Sequence, residues 1–268
     1  MPEGPEVKLF TERINKEFSN KKVKDIEILS GRYIKKPIEN ITIIKNTTFK
    51  GVQCKGKFIW FTFDDIIVFN TLGMTGSWNR RKTDHSRIGI YFDDGDRLFF
   101  NDIRNFGTFQ LKTNLDLAKK LKSIGPDMLS NPPDDFVFRL RKYNNKNICD
   151  ALMNQKIVSG VGNYIKAESL WYARINPHVF VKDLTDINLD TLDKAIRYVI
   201  NKSYQEQGAS IQSYYTFDGE SGDAVQGFVV YGRSRDYNGH QVIRETTPDK
   251  RTTHWVKERQ TVGVLNGH

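Results

Sequence analysis

The spacing of apolar residues changes from strand-like to helical at the proline-rich stretch IGPDMLSNPPDDF (124–136). From about Val23 to Gln110 the sequence holds short segments rich in β-branched and aromatic residues, which predict strands: VKDIEIL, ITIIKNTTF, KFIWFTF, IIVFNTLGM, RIGIYF and RLFFND. Asp94-Gly95, between the last two segments, is typical of a hairpin turn. The first part of the chain is therefore predicted to be an antiparallel β-sandwich or flattened barrel.

Beyond the prolines, apolar residues recur at helical spacing, which predicts helices in DDFVFRLRKY, NICDALMNQ, YIKAESLWYA and from Leu189 to Tyr204. Three strand-like segments follow: FVVYG, QVIRETT and RTTHWVK. The chain is thus predicted to be of the α+β class, with a sandwich domain over residues 1–130 and a helical domain with a β-hairpin over residues 131–268.

Two further segments complete this outline. Val7, Phe10, Ile14 and Phe18 recur every three or four residues and predict an opening helix that packs against a core. The polar stretch GASIQSYYTFDGESGDAVQG (208–227) is too long for an ordinary connection, which indicates a mobile functional loop.

Charge and cysteine content indicate the kind of partner and the cellular compartment. The chain carries 41 Lys and Arg against 32 Asp and Glu, a net charge of +9, which favours a polyanionic partner such as nucleic acid. Its two cysteines, Cys54 and Cys149, indicate a reducing compartment and argue against a four-cysteine metal site. No apolar run is long enough to span a membrane, and the start MPEGPEV does not have the pattern of a secretory signal. We expect an intracellular protein of the cytosol, the nucleus or a virus, without membrane association.

The start of the chain carries a possible nucleophile. Trimming of Met1 would leave Pro2 with a secondary amine next to Glu3. An α-amino group has a pKa of about 8, so a neutral, nucleophilic fraction exists near pH 7. Attack of such an amine on C1′ of a nucleotide gives an iminium, which acts as an electron sink for elimination. The alternative is structural, because proline often begins the first turn of a helix.

A second motif, Gly160-Val161-Gly162-Asn163, lies between two predicted helices. Its glycines permit a tight turn and leave the N–H groups at the start of the next helix free for a phosphate. Asn163 would cap that helix or donate its amide to the phosphate. The alternative is a plain helix-turn-helix corner, and the motif lacks the third glycine and preceding strand of a dinucleotide-binding fold.

The motifs MPEGPEV, GK after a strand, LGMTGS, NDIRNFG, GVGN, VVYGR and RTTHW occur in this order along the chain. In this order they resemble the formamidopyrimidine-DNA glycosylase/endonuclease VIII family over essentially the whole sequence. The resemblance implies an N-terminal β-sandwich, a helix-two-turn-helix domain and a C-terminal finger hairpin at about residues 228–260. It also implies duplex DNA with oxidised bases or abasic sites, bound in a cleft between the domains.

The resemblance implies catalytic roles near the N-terminus. Pro2 would be the nucleophile, Glu3 the acid that opens the sugar, and Glu6 a support for the same site. Lys57, in KGKF, would contact the phosphate next to the lesion. Base release would be followed by β,δ-elimination, which nicks the strand and requires no metal or organic cofactor.

The resemblance also implies residues that bind DNA. Asn163 would grip the phosphates beside the damaged nucleotide, with Lys156 as a further member of the site and Arg251 as the finger arginine. Three side chains would fill the space left by an everted nucleotide: Met74 in LGMTGS, and Arg104 and Phe106 in DIRNFG. The alternative for the methionine and the phenylalanine is ordinary core packing.

The finger departs from the zinc-binding pattern of the family. An alignment anchored on Tyr231 and Arg251 puts at the four cysteine positions Asn238, Gln241, Val256 and Arg259. His240 and His254 cannot form a structural zinc site alone, because such a site needs four ligands, usually with thiolates. The chain therefore resembles the zincless-finger branch, the vertebrate Nei-like type and its viral relatives, which prefers oxidised pyrimidines and hydantoins to 8-oxoguanine. We predict that the hairpin is held by apolar side chains instead: Phe228, Val230, Val242 and Trp255.

We therefore expect a monomeric, bifunctional DNA glycosylase and abasic-site lyase. One alternative is a DNA-binding protein whose amine is blocked or misplaced, against which the PEGPE motif argues. Another is an RNA-binding structural protein with the same helix-two-turn-helix element, which would have no use for Pro2-Glu3 or for DIRNFG.

Overall fold

The computed structural model describes residues 2–208 and 227–263, which form two compact units. The first unit contains Pro2 and residues 6–123, and ends with residues 207–208. The second contains residues 3–5, 124–206 and 227–263. Residues 209–226, which make up nearly all of the predicted mobile loop, lie outside the described residues.

The division between the units precedes residue 130, where the sequence places the domain boundary. The proline-rich stretch bonds to the helical unit: Gly125 N–H donates to the carbonyl of Gln155 at 2.9 Å, and Ser159 N–H donates to that of Pro126 at 2.8 Å. These bonds attach the start of the stretch to the second unit.

The first unit is built mainly of antiparallel strands. Its elements are α1 (Gly4–Phe18, whose first two residues belong to the second unit), β1 (Lys21–Ile28), α2 (Arg32–Lys35), a 3-10 turn (Ile41–Ile44), β2 (Thr48–Lys55), β3 (Phe58–Phe63), β4 (Ile66–Thr71), β5 (Gly76–Asn79), β6 (Ser86–Phe92), β7 (Arg97–Asp102), β8 (Thr108–Lys112) and α3 (Asn114–Ser123). The predicted Asp94-Gly95 turn is present, with Gly95 at a φ of 91°.

Eight strands form this sheet in the order β5-β7-β6-β1-β2-β3-β4-β8. β1 joins its two halves, since Lys21 and Lys22 pair with β2 and the rest of the strand pairs with β6. The two halves pack face to face: the rings of Phe61 on β3 and Trp78 on β5 lie 5.0 Å apart. The predicted sandwich is therefore confirmed, and the apolar stripe of α1 is buried in its core.

One predicted strand of this unit is wrong. Within ITIIKNTTF, Ile41–Ile44 form a 3-10 turn, and the strand begins only at Thr48. Asn40 and Asn46 bracket the turn with φ of 55° and 63°, and this left-handed backbone interrupts a strand. The segments β5, β8 and α3 were not predicted; the first two are short and the third buries no residue.

The second unit is mainly helical, which confirms the α+β class. Its elements are α4 (Phe136–Arg141), α5 (Ile148–Met153), α6 (Asn163–Tyr172), a 3-10 turn (Val181–Asp183), α7 (Asp186–Gln205), β9 (Ile243–Thr246) and β10 (Thr252–Trp255). α6 runs through the core, with every residue from Tyr164 to Trp171 buried. Within the described residues, no helix is both long enough and apolar enough to cross a membrane.

The segment FVVYG was predicted as a strand, and this prediction is wrong. The N–H groups of Val229, Val230 and Tyr231 donate to the carboxylate of Glu168 on α6, at 2.7–2.9 Å. A buried carboxylate thus takes the donors that a neighbouring strand would have used. Burial raises the pKa of Glu168, and these three N–H donors oppose that shift.

Candidate active site

The N-terminal segment is bonded to the glycine turn of the helical unit. Gly4 N–H donates to the carbonyl of Gly160 at 2.9 Å. Gly160 has a φ of +94°, a conformation that L side chains rarely adopt, and a Cβ on Gly4 would lie 3.1 Å from its Cα. The glycines at these positions therefore allow the two backbones to approach closely.

Glu3 occupies the start of α6. Its side chain is 3 % exposed, and its carboxylate accepts the N–H groups of Tyr164 at 2.9 Å and Ile165 at 3.3 Å. A Cβ on Gly162 would lie 2.1 Å from Cδ of Glu3, so only glycine leaves room for the carboxylate. The positive end of the helix dipole also favours this anion. The prediction that these N–H groups are free for a phosphate is therefore wrong, because Glu3 binds them.

Gln155 supports the same turn and was missed by the sequence reasoning. Its Oε1 accepts the N–H of Gly160 at 3.0 Å, and its Nε2 donates to the carbonyl of Val161 at 2.9 Å. Nothing in the pattern around this residue signals the role, since it depends on the path of the turn. Lys156, the next residue, has an exposed side chain, and its backbone N–H donates to Asn154 Oδ1 at 3.0 Å.

The remaining residues of the predicted catalytic set lie in the first unit. Pro2 is buried, and Glu6, in the first turn of α1, is 3 % exposed. Glu6 lies against Gly208, where a Cβ would come within 3.2 Å of its Cγ. Lys57 is half-buried in the two-residue turn between β2 and β3, which Gly56 makes possible with a φ of 58°.

The finger hairpin of the second unit carries Arg251 and is contacted by Asn163. Asn163 is the first residue of α6, and its Nδ2 donates to the carbonyl of Thr252 at 2.9 Å. Arg251 is exposed in the turn between β9 and β10, and its carbonyl accepts the N–H of Thr247 at 3.0 Å. The side chain of Asn163 thus binds the residue next to Arg251.

Lys166 and Asp249 form a buried ion pair that the sequence reasoning missed. Their side chains are 0 % and 3 % exposed, and Lys166 Nζ lies 2.5 Å from Asp249 Oδ2. A signal was present, because Lys166 and Glu168 are charged residues within the largely apolar α6. Buried charges need partners, but the sequence does not say which residues supply them.

Two further ionisable groups of this unit are held neutral. Burial lowers the pKa of His254 to about 4, with a contribution from the cations Arg244 and Lys166. Burial raises the pKa of the Cys149 thiol to about 12. The Cys149 thiol is therefore not a nucleophile near neutral pH.

The three predicted intercalating residues lie together at one end of the sandwich. Met74 follows β4, and Arg104 and Phe106 follow β7. Met74 is 39 % and Phe106 56 % exposed, so ordinary core packing does not explain either residue. The Arg104 guanidinium lies 5.0 Å from the centroid of the Phe106 ring.

Asp102, which was not predicted, joins the two loops that carry these residues. Its buried carboxylate accepts the Thr75 hydroxyl at 2.6 Å and the Gly107 N–H at 2.7 Å. The Thr75 hydroxyl oxygen in turn accepts the N–H of Arg104 at 3.0 Å. Met74 and Phe106 are thus presented by loops whose backbones are fixed to each other.

Two of the four positions aligned with zinc-binding cysteines, Val256 and Arg259, carry packing side chains, whereas Asn238 and Gln241 are exposed. Val256 is buried in one apolar cluster with Val230 and Val242. The Arg259 guanidinium lies 3.7 Å from the centroid of the Trp171 ring. The other two side chains predicted to hold the hairpin, Phe228 and Trp255, are also buried.

An aspartate organises the loop that would carry the first two cysteines. The Asp236 carboxylate accepts the N–H groups of Asn238 and His240, both at 2.9 Å. Across residues 2–208 and 227–263, no group of three or more His, Cys, Asp or Glu side chains could hold a metal ion.

A β-sandwich with an exposed loop pair and a helical unit with a glycine turn and a finger hairpin are the features that the family resemblance implies. Sequence comparison agrees: the formamidopyrimidine-DNA glycosylase N-terminal domain matches residues 1–109, and the formamidopyrimidine-DNA glycosylase H2TH domain matches residues 124–215. The chain belongs to the formamidopyrimidine-DNA glycosylase family, and it is an enzyme of base excision repair.

Relatives of known function and known structure cover nearly the whole chain. The formamidopyrimidine-DNA glycosylase of Cytobacillus firmus is 30 % identical over 88 % of this chain and 90 % of its own length. That of Ligilactobacillus salivarius is 30 % identical over 98 % and 99 %. Among solved structures, the Lactococcus lactis Fpg in complex with DNA containing an abasic site matches with a TM-score of 0.86 at 25 % identity, over 96 % of this chain and 99 % of that chain. The Thermus thermophilus MutM (Fpg) protein matches with a TM-score of 0.86 at 25 % identity, over 98 % and 100 %.

Proposed function

We propose that this enzyme excises oxidised bases from duplex DNA through a Schiff base on Pro2 and then nicks the strand at the abasic site. The observation that carries the proposal is the anchoring of Glu3. Its carboxylate is fixed by two N–H groups of α6, in a space left by Gly162, so the residue bonded to Pro2 has a defined position. A nucleophile gains most when its position is fixed before the substrate binds.

The reaction follows from a neutral secondary amine. The nitrogen of Pro2 attacks C1′, the bond from C1′ to the base breaks, and the base leaves with the electron pair and takes up a proton. The proton that the Pro2 nitrogen loses on attack passes to the Glu3 carboxylate and from there to the ring oxygen O4′ as the sugar opens, which leaves a positively charged iminium at C1′. Loss of a proton from C2′ then expels the 3′ phosphate, and a second elimination expels the 5′ phosphate. Water releases the amine.

The other predicted site residues are assigned to contacts with DNA according to their charge and exposure. Lys57, Lys156 and Arg251 supply positive charge to phosphates, and Asn163 supplies an amide. Met74 and Phe106, which are exposed on fixed loops, enter the duplex when the damaged nucleotide turns out, and Arg104 faces the orphaned base. Glu6 supports the catalytic residues from the first turn of α1.

The favoured lesions are oxidised pyrimidines and hydantoins, as in the zincless-finger branch of the family. This part of the proposal is supported by the finger, in which Val256 and Arg259 pack against apolar and aromatic side chains at two of the cysteine positions. A panel of duplexes, each with one oxidised pyrimidine, hydantoin or 8-oxoguanine, tests it. Faster excision of 8-oxoguanine than of the other lesions would contradict it.

Borohydride reduction in the presence of abasic DNA tests the Schiff base. The wild type should become covalently attached to the DNA. A protein extended by one uncleaved residue before Pro2 should not, because its amine has become an amide, although it should still bind the duplex. Glu3→Gln should lose base excision and retain some nicking of a preformed abasic site. Normal excision by the extended protein would refute the role of Pro2.

The same experiment separates this function from two others. A DNA-binding protein without catalysis, or an RNA-binding protein, would give no covalent product under reduction. An undamaged duplex of the same sequence, which offers no aldehyde for a Schiff base, is the control and should give no attachment.

A further inference from the structure

The finger turn, residues 247–251, connects two strands of only four residues each. Its backbone closes on itself: Lys250 N–H donates to the carbonyl of Thr247 at 2.8 Å, and Thr247 N–H donates to that of Arg251 at 3.0 Å. Lys250 has a φ of 59°. A two-stranded hairpin of this length is marginal by itself, so the direction of Arg251 depends on what holds the turn.

α6 contacts the finger turn region at two points. Asn163 Nδ2 donates to the carbonyl of Thr252, and Lys166 Nζ lies 2.5 Å from Asp249 Oδ2. Residues three apart in a helix share a face, so both side chains reach the hairpin from one side of α6. Their two partners lie on either side of Arg251 in the chain.

Of these two contacts, the ion pair between Lys166 and Asp249 sets the orientation of the finger turn. Both side chains are buried, and the second carboxylate oxygen of Asp249 accepts the Thr247 hydroxyl at 2.5 Å. The Thr247 and Thr253 hydroxyls are themselves hydrogen-bonded at 2.6 Å. Each oxygen of the carboxylate therefore has a fixed partner, one on the helix and one within the turn. Apolar contacts would hold the turn against α6 but would not set its orientation.

We propose that Lys166 and Asp249 are positioning residues, which fix the finger turn to α6 and so hold Arg251 in the orientation that binds DNA. The inference rests on the proposed role of Arg251. The first turn of α6 also holds Glu3, through the N–H groups of Tyr164 and Ile165. One helix thus sets the distance between the N-terminal segment and the finger.

A double-mutant cycle between Asp249 and Arg251 tests the proposal. The measurements are Kd for a duplex with a stable abasic-site analogue and the single-turnover rate of base excision. Asp249→Asn should weaken binding about tenfold in the wild-type background and less than about twofold in an Arg251→Ala background. Lys166→Arg, which can keep the pair, should restore most of the affinity that Lys166→Met loses.

If Lys166 and Asp249 served only to stabilise the fold, an apolar replacement that keeps the fold would leave DNA binding unchanged. Lys166→Met combined with Asp249→Leu removes both buried charges, and such replacements often preserve or raise stability. This double variant should melt close to the wild type and still bind DNA about tenfold more weakly. Lys194→Met, which breaks the exposed pair of Lys194 with Asp190 on α7, is the matched control and should change neither quantity.

The outcomes separate the inference from the function on which it rests. A folded apolar double variant with wild-type affinity would overturn the inference, and so would Asp249→Asn with an equal effect in both backgrounds. The second comparison decides the question if the apolar variant fails to fold. Arg251→Ala with wild-type binding and excision would overturn the role of Arg251 itself, and the inference with it.

Discussion

Acidification should destabilise the helical unit through His254. This residue is 5 % exposed, and neither ring nitrogen has a hydrogen-bond partner among the residues that the structure describes. Its pKa falls from 6.5 to about 4 because burial, and then the cations Arg244 and Lys166, disfavour the charged ring. Between these pH values the unfolded chain binds a proton that the folded protein does not. Stability is therefore full above about pH 6.5 and is lost as the pH falls towards 4.

The size of the effect follows from the pKa difference. The interval from 6.5 to about 4, at roughly 1.4 kcal/mol per pKa unit, corresponds to about 3 kcal/mol of unfolding free energy. About 2 kcal/mol of this should be lost by about pH 5, where most unfolded chains carry the proton. This is a large part of the stability of an ordinary domain.

Replacement of His254 by phenylalanine isolates this contribution. The ring packs against Tyr231, with centroids 4.8 Å apart, so an aromatic substitute can keep the contact without a titratable group. Urea unfolding followed by tryptophan fluorescence, at about pH 7.5 and about pH 5, should show that His254→Phe loses about 2 kcal/mol less than the wild type. His85→Gln, at an exposed histidine, should keep the wild-type pH dependence. Equal losses in the wild type and His254→Phe would refute the reasoning.

Three other results are expected. Gly162→Ala should displace the Glu3 carboxylate, whose Cδ would lie 2.1 Å from the new Cβ, so the unfolding free energy should fall by about 1–3 kcal/mol and base excision should collapse. Normal excision by this variant would mean that the position of Glu3 is not critical. Lys57→Ala should flatten the dependence of log affinity on log salt by up to about one unit, and Asn163→Ala should weaken binding with little change of slope; an unchanged slope for Lys57→Ala would remove Lys57 from the DNA backbone. Strong chelators should leave melting temperature and activity unchanged and elemental analysis should find no stoichiometric zinc, whereas activity lost on chelation and restored by zinc would show that the finger has been misread.

The elements with a regular apolar pattern could be predicted from the sequence alone. The stripe from Val7 to Phe18 predicts α1, and the spacing from Leu189 to Tyr204 predicts most of α7. Both predictions succeed because the spacing of apolar residues along the chain shows which face of a helix is buried. The predictions failed where a group distant in the sequence determines the backbone conformation. FVVYG has the composition of a strand, but the Glu168 carboxylate binds its N–H groups.

Part of the candidate site could also be predicted from the sequence. The motifs PEGPE, GVGN and DIRNFG located the N-terminal segment, the glycine turn and the exposed loops, and the order of the motifs identified the family, which the comparisons confirm. The glycines of these motifs could be interpreted from the sequence because their conformational freedom is a property of the residue itself.

The partners of the buried charges were decided only by the tertiary structure. Glu3 binds N–H groups 161 and 162 positions further along the chain, and Lys166 pairs with a residue 83 positions away. A sequence shows that a buried carboxylate or ammonium must have a partner, since an unpaired charge in an apolar core is too costly. Which partner it finds depends on how the segments pack, and for this reason Asp249, Asp102 and Gln155 became visible only in the folded protein.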